Sequence, residues 1–226
     1  RLKDINPLLP FIDDQIYVAE NSRIQAYYNL AQKRFAFDVN SETVLIHGIA
    51  LNEIKLENRF DSTKASVFYQ VQHGKLNDSI QVRNIYIDSY VRNNTFLTNF
   101  GWDGYNGTEP ALFAFKTEVD SQKNVMTDFD PSFFYLKESK WVINDRSRIL
   151  WSPDLIQLSK FNISSGDHQV SFDGKISKNP NDWLFFYVED FNLADLNGLL
   201  GGDMKLGGIL NIDGGVADVY DNIRFQ

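Results

Sequence analysis

The chain has 226 residues, of which 43% are hydrophobic, 14% aromatic and 23% charged. Those fractions suit one large domain or two small ones, and exclude a disordered, collagen-like or membrane-embedded chain. A net charge of −8, a pI of about 4.9 and scattered bases argue against binding nucleic acid or an anionic membrane surface.

There are 22 Asp against 8 Glu, with 21 Asn and only 10 Ala. Asp and Asn favour turns and caps, whereas Glu and Ala favour helix interiors. Together with 18 Phe and 10 Tyr, this composition points to strands linked by many turns. Cysteine is absent, which excludes disulfides and thiolate metal sites. No run approaches the roughly 18 apolar residues that a membrane helix requires. The chain opens on Arg1 without an initiator Met or signal peptide and ends in strand-like sequence at Ile223 to Gln226, as a piece of a longer protein would.

In chain order, the first segment is Leu2-Lys-Asp4-Ile5-Asn6-Pro-Leu8-Leu9, followed by strand-like sequence from Ile24 to Tyr28. Period-two alternation then dominates. It runs through Phe35/Phe37/Val39, Val44/Ile46, Val67/Tyr69/Val71, Ile80/Val82, Ile85/Ile87, Phe113/Phe115, Trp141/Ile143, Val170/Phe172 and Leu184/Phe186/Val188. Each reads as a strand with one apolar face. Turn signals at His73-Gly74, Gly101 to Gly107, Ser165-Gly166-Asp167, Asn179 to Asp182 and Asp213-Gly214-Gly215 separate them. About fifteen short strands at this spacing predict an antiparallel sandwich, barrel or extended sheet. The clearest hairpin folds across Pro180, pairing Ser171 to Ser177 with Trp183 to Glu189.

Leu193, Leu196, Leu199 and Leu200 carry helical spacing, with Asn192 as the cap and Gly201-Gly202 as the stop. This short helix matches the opening segment, 191 positions earlier (193 minus 2), at Leu, Asp, Ile/Leu, Asn, Leu and Leu. The pairing predicts a module of residues 1–192, with 193–226 opening the next copy.

No catalytic constellation emerges. His47, His73 and His168 lack metal-ligand spacing, and Ser164-Ser165-Gly166-Asp167-His168 has no nucleophile elbow and reads as a turn. Asp128-Phe129-Asp130 resembles a metal-nucleotide Asp-x-Asp but sits among strands. Trp102 to Glu109 carries oxygen ligands without the spacing of an EF-hand loop. The Gly201 to Gly208 run follows a helix, so it cannot cradle phosphate as a P-loop does. Asn77, Asn93, Asn106 and Asn162 open Asn-x-Ser/Thr triplets of the kind an Asn-rich chain contains by chance. The alternation itself admits two readings, a closed sandwich core or an open, curled sheet whose apolar face lines a groove.

Ile149-Leu-Trp151-Ser-Pro153-Asp-Leu-Ile156, Phe161-Asn-Ile163, Gln169-Val-Ser-Phe172-Asp-Gly174-Lys-Ile176-Ser, Phe191-Asn-Leu193 and Leu196-Asn-x-Leu199-Leu200 follow one another in order. This succession resembles the repeating module of AsmA/TamB-like proteins from Bacteroidetes, best between Ser139 and Leu200. The resemblance implies a mainly β fold, a long curled antiparallel sheet ("β-taco") with one or two short helices. It also implies an inner-membrane-anchored protein on the periplasmic side of the cell envelope. The implied roles are phospholipid transport between membranes and outer-membrane protein assembly, with acyl chains and assembly proteins as partners. No active site or cofactor transfers, and the chain is read as non-enzymatic. The candidate apolar groove comprises Phe35, Phe37, Val67, Tyr69, Val71, Phe113, Phe115, Phe172, Ile176, Leu184, Phe186 and Val188. The alternatives are a secreted or periplasmic β-sandwich binding glycan through Trp102 or Tyr105 and, more weakly, a β-rich hydrolase.

Overall fold

The computed structural model describes residues 6–7, 13–75, 81–105, 108–198 and 205–226. Of these, 70% are strand and 3% helical. The fold is mainly β: seventeen strands in one large antiparallel sheet, with a 3-10 turn at Leu193–Gly198. The chain divides into two compact units, 1–112 and 113–226, described separately below.

Unit 1 contains β1 (Ile16–Val18), β2 (Arg23–Asn29), β3 (Arg34–Ile46), β4 (Ile49–Phe60), β5 (Lys64–Lys75), β6 (Gln81–Arg92) and β7 (Thr95–Asp103). From β2 onward each strand pairs with the next in a meander. The thirteen-residue β3 exceeds its partner, so β2 covers one end and β1 pairs with Val44 to Ile46 at the other.

Unit 2 contains β8 (Ala111–Val119, begun in unit 1), β9 (Val125–Phe129), β10 (Ser132–Leu136), β11 (Ser139–Ile143) and β12 (Arg148–Ser152). It continues with β13 (Leu155–Ser165), β14 (His168–Ser177), β15 (Trp183–Asn192), β16 (Ile209–Ala217) and β17 (Arg224–Phe225). Here β13 is the long strand, joined by β12 along 155–159 and by β11 at Ile163 and Ser164. Strands β13 to β17 then follow in chain order.

The hairpin across Pro180 forms between β14 and β15. Asp182 holds its turn, accepting from Ser177 Oγ at 2.6 Å and lying 3.1 Å from Lys175 Nζ. The described part of the predicted helix, Leu193–Gly198, is a 3-10 turn, whose start is capped by Asn192 Oδ1 accepting from Ala194 N–H at 3.0 Å. Its proposed glycine stop at 201–202 lies outside the described residues.

Left-handed backbone inside the strands resets the alternation. Glu53 (φ 54) and Asn84 (φ 49) interrupt β4 and β6, and Lys160 (φ 50) and Asp190 (φ 50) interrupt β13 and β15. Such an insertion leaves side chains three apart on one face. In unit 1 this is visible at Gly74, where an added Cβ would lie 2.6 Å from Ile85 Cδ1 and 3.4 Å from Val82 Cγ2. In unit 2 the displaced N–H groups find acceptors on the next strand. Lys160 donates to Asp173 Oδ1 at 2.8 Å, and Asp190 to Asn211 Oδ1 at 2.7 Å.

Candidate functional site

Register places opposing residues on the same face of the sheet. In unit 1 one row crosses the strands as Tyr28, Phe35, Phe60, Ala65, Val91 and Phe96. The next rows on that face are Ala26, Phe37, Asn58, Val67, Ser89, Thr98 and then Ile24, Val39, Leu56, Tyr69, Ile87, Phe100. A fourth row holds Ser41, Ile54, Val71 and Ile85. Phe35, Phe37, Val67, Tyr69 and Val71 therefore share one largely apolar face.

In unit 2, Phe161, Phe172, Phe186 and Gly214 form one row, and Ile163, Val170, Val188 and Ile212 the next. On the other side lie Leu158, Gly174, Leu184 and Val216, with Ile156 opposite Ile176 beyond them. Ring contacts extend this face: Phe115 to Phe129 at 6.0 Å, Phe129 to Phe161 at 5.5 Å, and Phe113 to Phe134 at 6.0 Å. Phe113, Phe115, Phe172, Ile176, Leu184, Phe186 and Val188 therefore lie on one face of unit 2.

These faces are partly covered: of the twelve candidate groove residues Phe35 is exposed and the other eleven are half-buried. Among the described residues only Val82, Ala111, Leu136, Trp141, Ile143 and Ala217 are buried apolar side chains. Phe35 retains 39% of its exposure, Ile87 37% and Trp151 53%. The opposite faces carry ion pairs, including Arg59 with Asp38, Lys55 with Glu57 at 2.9 Å, and Arg148 with Asp128. A cleft of about 400 Å³ in unit 1 is lined by residues of both faces, Tyr27, Arg59 and Tyr90 from one and Phe35 and Phe60 from the other.

The other motifs take structural places. His168 stacks against buried Trp141 with ring centroids 6.5 Å apart. Asp128 is occupied by Arg148, and the intervening Phe129 packs between Phe115 and Phe161. Trp102 donates from Nε1 to the Glu109 carbonyl at 3.0 Å, and Tyr105 lies under the Arg83 guanidinium at 4.6 Å. No group of three or more His, Asp or Glu among the described residues is arranged to hold a metal.

Four turn carboxyls sit below the usual range. Backbone hydrogen bonds from Gln15 and Thr63 lower Asp13 and Asp61, the Asn124 side chain lowers Asp120, and the Ser177 hydroxyl lowers Asp182. These four Asp serve turns, whereas Asp38 and Asp128 lie in strands and pair with Arg59 and Arg148. Asp61 Oδ1 alone accepts from Thr63 N at 2.9 Å and Lys64 N at 3.0 Å.

Several members of the apolar faces were missing from the candidate set, among them Ile54, Leu56, Phe60, Ile85, Phe129 and Phe161. Alternation marks them once the phase changes at Glu53, Asn84 and Lys160 are known. Comparisons with protein-family models, curated proteins and solved structures return no match.

Proposed function

We propose that this chain is a non-catalytic module of the periplasmic cell envelope whose apolar sheet faces shelter acyl chains. Its roles on this reading are phospholipid transport between membranes and assembly of outer-membrane proteins. The observation that carries it is the large apolar face in each unit, half-buried along most of its length and opposed by a face that carries ion pairs. The resemblance of Ser139 to Leu200 to the AsmA/TamB-like module supports the same assignment. Each CH₂ withdrawn from water contributes about 0.8 kcal/mol, so such a face can hold a chain while the headgroup stays hydrated. No reacting group is required. A glycan platform at Trp102 or Tyr105 is less well supported, because one ring is tied to a carbonyl and the other lies under a guanidinium.

Native mass spectrometry of the chain purified without detergent, then incubated with phosphatidylethanolamine vesicles, tests the proposal. Stoichiometric phospholipid on the folded chain is expected. A folded chain that never acquires lipid under these conditions would contradict it.

A further inference from the structure

The chain carries a net charge of −8, yet one end of unit 1 gathers positive side chains. Arg34 opens β3, Arg59 lies next to the end of β4, Lys64 opens β5 and Arg92 closes β6. Register sets Tyr27, Ala36, Arg59, Ser66 and Tyr90 in one row across the face that bears the ion pairs. In the row beyond it Arg34 opposes Asn29, and Lys64 opposes Arg92. The cleft of about 400 Å³ lies here, with Arg34, Arg59 and Lys64 in its lining against one carboxylate, Asp61. Ala36 and Ser66 are the small members of the first row and leave the space, while the exposed Tyr27 and Tyr90 stand at the row's two ends.

The charges of this lining are not equally engaged. Arg59 is balanced by Asp38, to which both of its terminal nitrogens donate, and it also donates to the Asn58 carbonyl at 2.9 Å. Asp61 accepts from Thr63 N at 2.9 Å and Lys64 N at 3.0 Å, so its carboxylate serves its own turn. Arg34 donates to the neutral Gln32 Oε1 at 3.3 Å, and among the described residues neither Arg34 nor Lys64 enters a salt bridge. Tyr27 Oη accepts from Asn29 Nδ2 at 3.1 Å, which leaves its own proton to donate. A guanidinium, an ammonium and phenol hydroxyls around one concavity form a set of donors, and the group that satisfies them is an anion with several oxygens. Phosphate suits both charges, the fork of Arg in a paired contact and Lys as a point charge. Arg34 and Lys64 start from strands two apart, roughly 10 Å, a span that two long side chains close onto one phosphate. From the apolar face Phe35 and Phe60 line the same cleft, their rings stacked at 5.9 Å.

We infer that this cleft binds a phosphate group, with Arg34 and Lys64 as its charge partners and Tyr27 and Tyr90 as hydroxyl donors. The phosphate belongs either to a lipid headgroup, whose chains then reach Phe35 and Phe60, or to a small water-soluble ester. The site itself does not depend on acyl chains in the apolar faces; only its lipid form rests on that reading.

Isothermal titration calorimetry of the folded chain with glycerol phosphate, and with dihexanoyl phosphatidic acid below its micelle-forming concentration, tests the site. Saturable binding of a phosphate compound is expected. Arg34→Gln and Lys64→Gln, both at exposed positions, should each weaken it about tenfold, and Lys64→Arg should keep it. Arg23→Gln removes the same charge from the far end of β2, outside the cleft, and should leave the affinity unchanged. Equal affinities for the two compounds identify a water-soluble ester, and a phosphatidic acid bound tenfold tighter identifies a lipid headgroup. A folded chain that binds neither compound would overturn the site. So would a loss in Arg23→Gln equal to that in Arg34→Gln, which would mark general attraction to a charged surface. Phospholipid taken up from vesicles equally by the parent chain, Arg34→Gln and Lys64→Gln would overturn the cleft's lipid form and leave the reading of the apolar faces standing.

Discussion

At the scale of single residues, the chain uses its many Asp and Asn side chains in place of missing backbone partners. Asp61 and Asp120 gather the N–H groups of their turns, Asp173 and Asn211 receive the N–H groups displaced at Lys160 and Asp190, and Asn6 and Asn197 each bind the N–H and C=O of one residue, Val18 and Leu206. Short polar side chains suit this work because they reach their neighbours' backbone with little freedom to lose. The depressed carboxyls give it a pH signature. A group whose folded pKa lies below its unfolded value of about 3.9 stabilises the fold above that value and ceases to as pH falls through the folded one. Stability should therefore drop progressively below about pH 4. Asp182→Asn should lower stability at pH 7 and flatten this acid limb, as read by urea midpoints between pH 2 and 7. An unchanged acid limb would remove Asp182 from the set of contributing groups.

At the scale of strands and turns, alternation exposed most strands, because aliphatic and Phe side chains concentrate on one face while the charged side chains, with several aromatics, take the other. It did not show how long the strands are. Phe35 to Val39 and Val44 to Ile46 are out of phase, which suggests separate strands, yet both lie in β3. The phase is reset along a line across the sheet where Glu53 and Asn84 turn left-handed. Glu53 carries no local signal of it, since Glu is an unusual occupant of that region, whereas Asn84 is of a type that enters it more readily. The leucine spacing at 193 likewise indicated a turn of helix but could not distinguish a 3-10 turn from a short α-helix. Gly74 permits the tight packing just beyond the reset, with Ile85 lying over its backbone. Gly74→Val should cost about 1–3 kcal/mol through overpacking. Adding Ile85→Ala should recover part of that loss. Equal destabilisation with and without Ile85→Ala in chemical denaturation would show that backbone conformation, and not the Ile85 contact, is what Gly74 protects.

At the scale of the whole molecule, 43% hydrophobic residues coexist with six buried apolar side chains among those described. In each unit apolar side chains share one face, where most of them are half-buried. A closed sandwich and an open face share one alternating pattern, so periodicity alone does not choose between them. If the faces hold acyl chains, a charge on either should cost affinity, and a charge on the opposite side should not. Phe37→Asp tests unit 1 and Phe172→Asp unit 2. Phe185→Asp is the matched control, since Phe185 is 46% exposed and pairs with Gly215 on the other face of unit 2. An aspartate that keeps two CH₂ groups of a chain from contact removes about 1.6 kcal/mol, roughly a tenfold loss in affinity. Circular dichroism separates misfolding from lost binding, and a fluorescent phospholipid titrated into each variant supplies the affinities. Two affinities falling about tenfold beside an unchanged Phe185→Asp are expected. Equal losses in all three, or none in any, would remove the apolar faces as the lipid site.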